Sequence, residues 1–296
     1  MEASGGAGSP RHYSVLLSES LEYLAIRPDG IYVDLTAGLG GHTKAIAQQL
    51  TSGLLLACDR DGESLQWAAI QAEPFKDRIR FFHGAFSDLP QALKQYGISA
   101  VDGVLADLGV SRFQLSSAER GFSLMEDGPL DMRMNRSEGV TAADLVNGMS
   151  ERALADLIYQ LGEERRSRRI SRAIVRARPI LTTGRLAQVV EEAVPRTGRL
   201  HPATQTFMAL RLAVNRELEE LGGMLRIVPE HLRSGGRWVV LTFMSLEDRL
   251  VKGSFRSLAQ AGKARLLTKH VVKPTTEEIA ANPASRSAKL RALEWV

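Results

Sequence analysis

Near the start of the chain, short apolar runs typical of strands alternate with apolar residues at helical spacing, which predicts an α/β unit. Residues 31–35 (IYVDL) are a short apolar run with β-branched and aromatic residues, typical of a buried strand. Residues 42–50 have helical spacing, and a second apolar strand over 54–58 ends at Asp59. Strand, glycine-rich turn, helix, strand and acid is the order of a nucleotide-binding βαβ unit.

The same alternation continues to residue 110 and returns after residue 203, with helices between. The pattern predicts one α/β domain that is interrupted by another rather than two domains in series. We predict a disordered tail over 1–10, a discontinuous domain over 11–112 and 203–296, and a mainly helical insert over 113–202. The apolar stripe of 203–221 predicts a single helix that ends at Gly222-Gly223.

Helix starts and an irregular segment are also predicted by local signals. Ser18 and Ser245 are each placed to cap a helix. The stretch 112–140 is polar and rich in turn residues, yet it carries several large apolar side chains. A segment of that length without regular structure is usually functional or disordered, and its apolar content argues against plain disorder.

The glycine-rich turn, residues 36–42 (TAGLGGH), fits the dinucleotide fingerprint only in part. Gly38 and Gly40 take the first two glycine positions, but Thr43 stands at the third and Gly41 is additional. Such a turn can also hold S-adenosylmethionine, and Asp59 would then bind its ribose hydroxyls. An ordinary strand–helix turn capped by glycine is the structural alternative.

Composition limits the class of protein. Of the 296 residues 44% are hydrophobic and 24% are charged, as in soluble globular proteins. No apolar run approaches the ~20 residues that cross a bilayer, and the first residues lack a secretory pattern. The single cysteine, Cys58, falls in a predicted buried strand, which suits a reducing cytoplasm. One cysteine and six scattered histidines form no ligand cluster, so we predict no metal.

The charge distribution says more than the net charge of +4. Residues 163–199 contain ten arginines and four glutamates, a net charge of +6 in one segment. Concentrated arginine favours a polyanionic partner, most simply a nucleic acid. A solvated helical face is the alternative interpretation of the same run.

Candidate chemistry collects where predicted strands end. The glycine turn, Asp59, Phe86 and Asp107 all follow strands, and ligands of open α/β sheets bind at that edge. A methyl donor would lie over the first two, and an acceptor amine would reach Asp107, whose carboxylate can accept its hydrogen bond. Aromatic residues of the insert could receive an unstacked base, although a place in the core is the more usual role for each of them: Phe113, Phe122 and Tyr159.

A set of motifs in fixed order resembles a known family. They are GLGGHT, DLGVS, AERGFS, DGPLDMRM, GEER, RISRAIV, HPATQTF, NRELEEL, SLEDR and NPASRSAKLR. The chain resembles the RsmH (MraW) family from His12 to Arg291. That family consists of bacterial S-adenosylmethionine-dependent enzymes that methylate N4 of a cytosine in the decoding region of small-subunit ribosomal RNA.

The resemblance implies a fold, a cofactor and a partner. It implies a class I (Rossmann-like) methyltransferase domain with an inserted helical domain, a cytoplasmic location, and 16S rRNA within the small ribosomal subunit as partner. A homodimer is left open. The cofactor residues that it implies are Gly40, Gly41, His42, Asp59, Phe86, Asp107 and Gln114, with Asp107 also the catalytic candidate.

Three positions depart from the family pattern, and other functions stay open. Met244 stands where the family usually has histidine, Arg112 replaces a serine and Ser116 replaces an aspartate. The alternatives are a non-catalytic RNA-binding assembly factor, a nicotinamide-dependent oxidoreductase and a DNA amino-methyltransferase. The basic insert and Thr43 count against the oxidoreductase.

Overall fold

A computed structural model describes residues 14–196, 198 and 200–296, and the predicted tail over 1–10 lies outside them. In this part of the chain seven strands form one sheet. They are β1 (Ile31–Asp34), β2 (Leu54–Asp59), β3 (Ile79–His83), β4 (Val101–Asp107), β5 (Leu232–Thr242), β6 (Ala264–Leu266) and β7 (Lys289–Trp295). Their order is β3-β2-β1-β4-β5-β7-β6. β1 to β5 are parallel, and β7 is antiparallel to both of its neighbours.

Thirteen α-helices accompany these strands within the described residues. They are α1 (Leu17–Leu24), α2 (Gly41–Gln49), α3 (Gly62–Gln71), α4 (Leu89–Gln95), α5 (Arg112–Ser116), α6 (Ala142–Gly148), α7 (Glu151–Gly162), α8 (Ser167–Arg176), α9 (Thr183–Ala193), α10 (Thr204–Val214), α11 (Glu217–Ile227), α12 (Ser245–Gln260) and α13 (Thr276–Ala281). None of them is long and apolar enough to cross a membrane.

The strand order places a crevice at one edge of the sheet. The chain runs outward from β1 through β2 to β3, then returns to the other side of β1 with β4. This reversal between β1 and β4 is a topological switch point, where open α/β sheets bind ligands beyond their carboxyl ends. The expected Rossmann-like α/β architecture is confirmed.

The sheet is covered by helices on both faces. One buried cluster contains Ile46 of α2 and Ala68 of α3, packed against Leu55. The cluster on the other face contains Leu93, Met224 and Phe255, from helices α4, α11 and α12, and fully buried Trp238 of the sheet joins it. Apolar burial on both sides explains why the parallel strands read as nearly continuous apolar runs.

The middle of the chain builds a separate hydrophobic cluster. Its members extend from Phe122 to Val214 and include side chains of the irregular stretch as well as helices. Four large apolar residues of 112–140 are buried in it, which gives that stretch a fixed structure without strands: Phe122, Leu130, Met132 and Met134. Helix α10 also packs in this cluster, although it follows residue 203, where the sequence predicted the return to the sheet domain. The division into domains stays a prediction.

The predicted single helix over 203–221 is wrong, because the chain breaks between α10 and α11. Arg216 has a positive φ of 50°, which ends α10 and starts a new direction. The buried Asn215 side chain donates to the carbonyl of Met132 and accepts from the amide of Met134, so it is held by the insert. Gly222-Gly223 does not end a helix but lies inside α11.

The serine caps predicted at Ser18 and Ser245 are also wrong, whereas Ser150 caps α7 as its sequence position predicts, by accepting the amide of Ala153. Ser18 lies inside α1, where the residue before the helix is Leu16. Ser245 is the first residue of α12, and the carboxylate of Glu247 accepts the amides of Phe243 and Met244 instead. The buried carboxylate thus holds the two amides that lead into α12, which is the contact that the N3 side chain makes in a capping box.

Gly121 allows a close contact inside the insert that another residue would block. Its φ is +72°, and an added Cβ would lie 2.2 Å from the carbonyl oxygen of Pro129. We expect Gly121→Ala to lower the free energy of unfolding by about 2–5 kcal/mol, from backbone strain and overlap together. The matched control is Gly97→Ala, at φ +67° with nothing within 4 Å, which should cost only about 1 kcal/mol. Equal urea midpoints for the two variants would contradict this account.

Candidate active site

A cavity of about 330 Å³ lies at the carboxyl edge of the sheet, at the switch point. Six of the seven residues that the family resemblance singled out line it: Gly41, His42, Asp59, Phe86, Asp107 and Gln114. They come from the glycine turn, the ends of β2 and β4, the segment after β3, and α5. The structure thus brings together side chains that are widely spaced along the chain.

Gly40, the seventh residue, lies behind the turn rather than on this cavity. It precedes α2 with φ +90°, and an added Cβ would lie 2.9 Å from the Cα of Ala68 in α3. The close approach of two helices is therefore what requires glycine here. A contact between Gly40 and a cofactor stays a prediction.

Asp59 is held in place by backbone donors. One carboxylate oxygen accepts the amide of Gly38 at 2.7 Å and the other accepts the amide of Asp61 at 2.8 Å. Burial raises the pKa of Asp59 to about 7, against the lowering effect of those two amides. The carboxylate is thereby tied to the glycine turn that it faces.

Asp107 presents a carboxylate with spare accepting capacity. Its backbone amide donates to Thr36 Oγ1 at 2.7 Å, which fixes the end of β4 against the end of β1. Its Oδ1 is buried and has no hydrogen-bond partner among the described residues, while Oδ2 lies 3.6 Å from Nδ1 of His42. Burial and the nearby charges of Asp34 and Glu247 raise the pKa of Asp107 to about 8.

A buried ion pair next to the cavity was missed by sequence reasoning. The guanidinium of Arg120 lies 2.8 Å from a carboxylate oxygen of Asp61, and both side chains are only 2% exposed. The same oxygen accepts Nε2 of Gln114 at 2.7 Å. The other oxygen of Asp61 caps α3 by accepting the amides of Glu63 and Ser64. Asp61 thus connects the insert to the segment that holds Asp59.

Arg120 also fixes the irregular part of the insert. It donates to the carbonyls of Arg133 and Met134, and its second nitrogen lies 3.0 Å from Glu63. Arg120 lies in the AERGF motif and Asp61 in the segment CDRDGE. The two residues are 59 positions apart in the chain, and no local pattern indicates that they are in contact. Only the capping role of Asp61 could have been predicted, from an acid directly before a helix.

The arginines of the insert are divided between structure and solvent. The buried side of α8 is formed by Ile170 and Ile174, and its exposed arginines lie on the other side. Those that are exposed on α8 are Arg168, Arg169, Arg172 and Arg176, and Arg165 is exposed just before the helix. Arg172 lies 3.4 Å from Glu151, and the face as a whole is a basic surface that suits a polyanion.

The three predicted base-receiving aromatic residues have different surroundings. Phe122 is buried in the cluster of the insert, which favours a core role. Tyr159 is 58% exposed, and Phe113 is half-buried near the cavity edge. Among the described residues no group of three or more His, Cys, Asp or Glu could hold a metal ion. The expectation that no metal takes part stays a prediction.

Comparison with known proteins identifies the family. The model of the MraW methylase family matches residues 9–296. The chain is 60% identical over 283 residues to the ribosomal RNA small subunit methyltransferase H of Solibacter usitatus, covering 96% of this chain and 99% of that protein. It is 51% identical over 293 residues to the protein of the same name from Koribacter versatilis, covering 95% and 93%. The chain belongs to the MraW methylase family, and the resemblance drawn from its motifs is confirmed.

A solved structure with low sequence identity also resembles the chain. An rRNA methylase from Streptococcus thermophilus is 11% identical, with a TM-score of 0.46 over 94% of this chain and 95% of that one.

Removing Arg120 should destabilise the protein strongly. Arg120→Ala leaves Asp61 as a buried charge without its cation, so we expect a loss of ~3–5 kcal/mol in the free energy of unfolding. The control is Lys76→Ala, which removes an exposed pair with Glu73 and should leave the urea midpoint nearly unchanged. If the two variants have the same midpoint, the ion pair does not stabilise the fold.

Proposed function

We propose that the chain transfers a methyl group from S-adenosylmethionine to the exocyclic N4 of a cytosine in the decoding region of 16S rRNA. The proposal rests on one observation above all. The unbonded Oδ1 of Asp107 and the tethered carboxylate of Asp59 line the same cavity at the switch point of the sheet. Family membership supports the reaction class and argues against the oxidoreductase.

The residues present fit S-adenosylmethionine as the donor. Asp59 offers carboxylate oxygens for ribose hydroxyls, and Phe86 offers an apolar surface for the adenine ring. Gly41 and His42, at the start of α2, would border the amino-acid part. When bound, the donor supplies a methyl group activated by a sulfonium centre.

Asp107 accounts for the handling of the acceptor amine. The lone pair of an exocyclic amine is delocalised into its base, so the amine must be oriented and must lose a proton as the new bond forms. Oδ1 of Asp107 has a free lone pair for that N–H, and Thr36 fixes the backbone from which the side chain projects. His42, 3.6 Å from Oδ2, borders the same carboxylate and restricts its rotation.

The rRNA partner is supported by the surface of the insert. The arginine face of α8 suits a phosphate backbone, and the names of the relatives refer to small-subunit ribosomal RNA. We infer that the enzyme acts on the small ribosomal subunit in the cytoplasm. Its oligomeric state, including a homodimer, stays a prediction.

The non-catalytic alternative has lost its main support. It was motivated by Met244, but the sulfur of Met244 lies 3.5 Å from Arg211, and Met244 is not among the described residues that line the cavity. Arg112, another departure, donates to Asn282 and so joins α5 to the segment before β7. Arg112 lines the cavity, as does Arg211, the partner of Met244, so both replacements make defined contacts beside it.

The direct test uses small subunits that lack the modification. The protein and S-adenosylmethionine should convert one cytosine of their 16S rRNA to N4-methylcytidine, which nucleoside mass spectrometry detects. Asp107→Asn should lower the rate by about 10²–10⁴-fold, because an amide cannot take the proton. The control, Asp156→Asn, changes an exposed carboxylate of α7 and should retain the wild-type rate. Rates unchanged by Asp107→Asn would contradict the assignment.

The pH dependence should report the same carboxyl group. Below its raised pKa of about 8 Asp107 holds a proton and cannot accept another, so kcat/KM should rise with pH and level off above 8. Glu247→Gln removes a charge that raises this pKa but keeps an oxygen for the two amides, so it should move the rise to lower pH. A profile that Glu247→Gln leaves in place would assign the titration to another group.

A further inference from the structure

A second cavity, of about 970 Å³, adjoins the candidate active site, and the proposed reaction does not use it. It lies among α1, α2 and α3, the start of the insert and α13. The two cavities share Leu39 and Gly41 of the glycine turn and Asn282 after α13. A polymer whose reacting unit occupies the first cavity can therefore place a neighbouring unit in the second.

Two aromatic side chains and two glutamine side chains are among the residues that line this cavity. Trp67 of α3 is 45% exposed, and Phe113 of α5 is half-buried. Gln48 and Gln71 have amide groups that can both donate and accept hydrogen bonds, and Lys44 adds a positive charge. Flat aromatic surfaces beside amides are what a nucleic-acid base needs, because it stacks on its faces and hydrogen-bonds at its edges.

The charges of the cavity favour a base over a run of phosphates. Lys44 is opposed by two acids, Glu19 and Glu278. Glu278 is occupied in part by the amide of Leu16, which donates to it at 2.8 Å. A surface with this mixed lining would repel a phosphate chain as much as attract it, whereas an uncharged base has no such cost.

We propose that this cavity receives an unpaired RNA base next to the methylated cytosine and that the base stacks on Trp67. The inference rests on the proposed function, since it takes the RNA from the same reaction. A cytosine that enters the first cavity must leave its stack, so its neighbours need new stacking partners. The cavity across the glycine turn supplies one, and it would make the enzyme prefer a single-stranded target over a duplex.

Trp67 itself can report the contact. Titration of the full chain with a short single-stranded oligoribonucleotide that contains one cytosine should quench its fluorescence. The buried Trp238 and the half-buried Trp295, which does not line the cavity, should not respond. Trp67→Phe should remove the quenching and keep near-normal methylation, because phenylalanine still stacks. Trp67→Ala should raise KM for the oligonucleotide roughly ten-fold and leave the affinity for S-adenosylmethionine unchanged. The control is Ile70→Ala, an exposed position of α3 that does not line the cavity.

Each other result would overturn the proposal. Methylation by the wild type with an unchanged KM for Trp67→Ala would reject the base site and leave the proposed function intact. Equal quenching by duplex RNA would show that stacking of an unpaired base is not what is bound. A signal that depends on protein concentration without RNA would assign the cavity to a second copy of the chain. No methylation by the wild type, on the oligonucleotide or on small subunits, would instead reject the proposed function.

Discussion

The buried pair of Arg120 and Asp61 is the interaction on which the site depends. Asp61 lies two residues after the end of β2, and its amide donates to one oxygen of Asp59. Arg120 belongs to the insert, and its guanidinium connects Asp61 to the carbonyls of Met134 and Arg133. A charge removed from water in this way requires a well-placed partner, so the pair permits only one docking of insert on sheet.

This arrangement explains how the two clusters of the sheet and the separate cluster of the middle of the chain can build one site. The sheet carries the carboxylates Asp59 and Asp107, and the insert carries Gln114 and the arginine face. Gln114 reaches the cavity because its amide donates to Asp61, the same carboxylate that Arg120 binds. Asn215 adds a second connection, through Met132 and Met134, at the point where the chain leaves the insert. The residues that line the cavity from the sheet and from the insert are thereby fixed relative to one another.

Much of the sheet and most of the site residues could be predicted from the sequence, for local reasons. Strands buried on both faces are apolar throughout, and the ends of β1, β2 and β4 carry the glycine turn, Asp59 and Asp107. Such signals lie within a few residues of each other. Gln114 came from the family resemblance alone, because nothing in its spacing indicates that α5 turns back toward β2.

What could not be predicted depended on contacts between distant residues. The apolar stripe of 203–221 is continuous in the sequence. The helix nevertheless breaks, because Asn215 hydrogen-bonds Met132 and Met134 of the insert and Arg216 has a positive φ. Ser245 is a good capping residue, but the helix already begins at Ser245, and the buried Glu247 accepts the amides of Phe243 and Met244 that lead into it. Arg120 looked like one charge among many, and its burial follows only from the position of Asp61. In each case a tertiary partner overrides a local preference.

The most direct test of this account is calorimetric binding of S-adenosylmethionine to Asp61→Asn. Asparagine still caps α3 and keeps the shape of the side chain, but it removes the charge that orders Arg120 and Gln114. Asp61 does not line the cavity, so a loss of affinity can reach the cofactor only through the network. We predict a folded protein that binds S-adenosylmethionine at least about ten-fold more weakly. Losses of this size are typical when a residue that orients the ligand-binding side chains is removed. Wild-type affinity in a folded Asp61→Asn variant would contradict the central role of the ion pair.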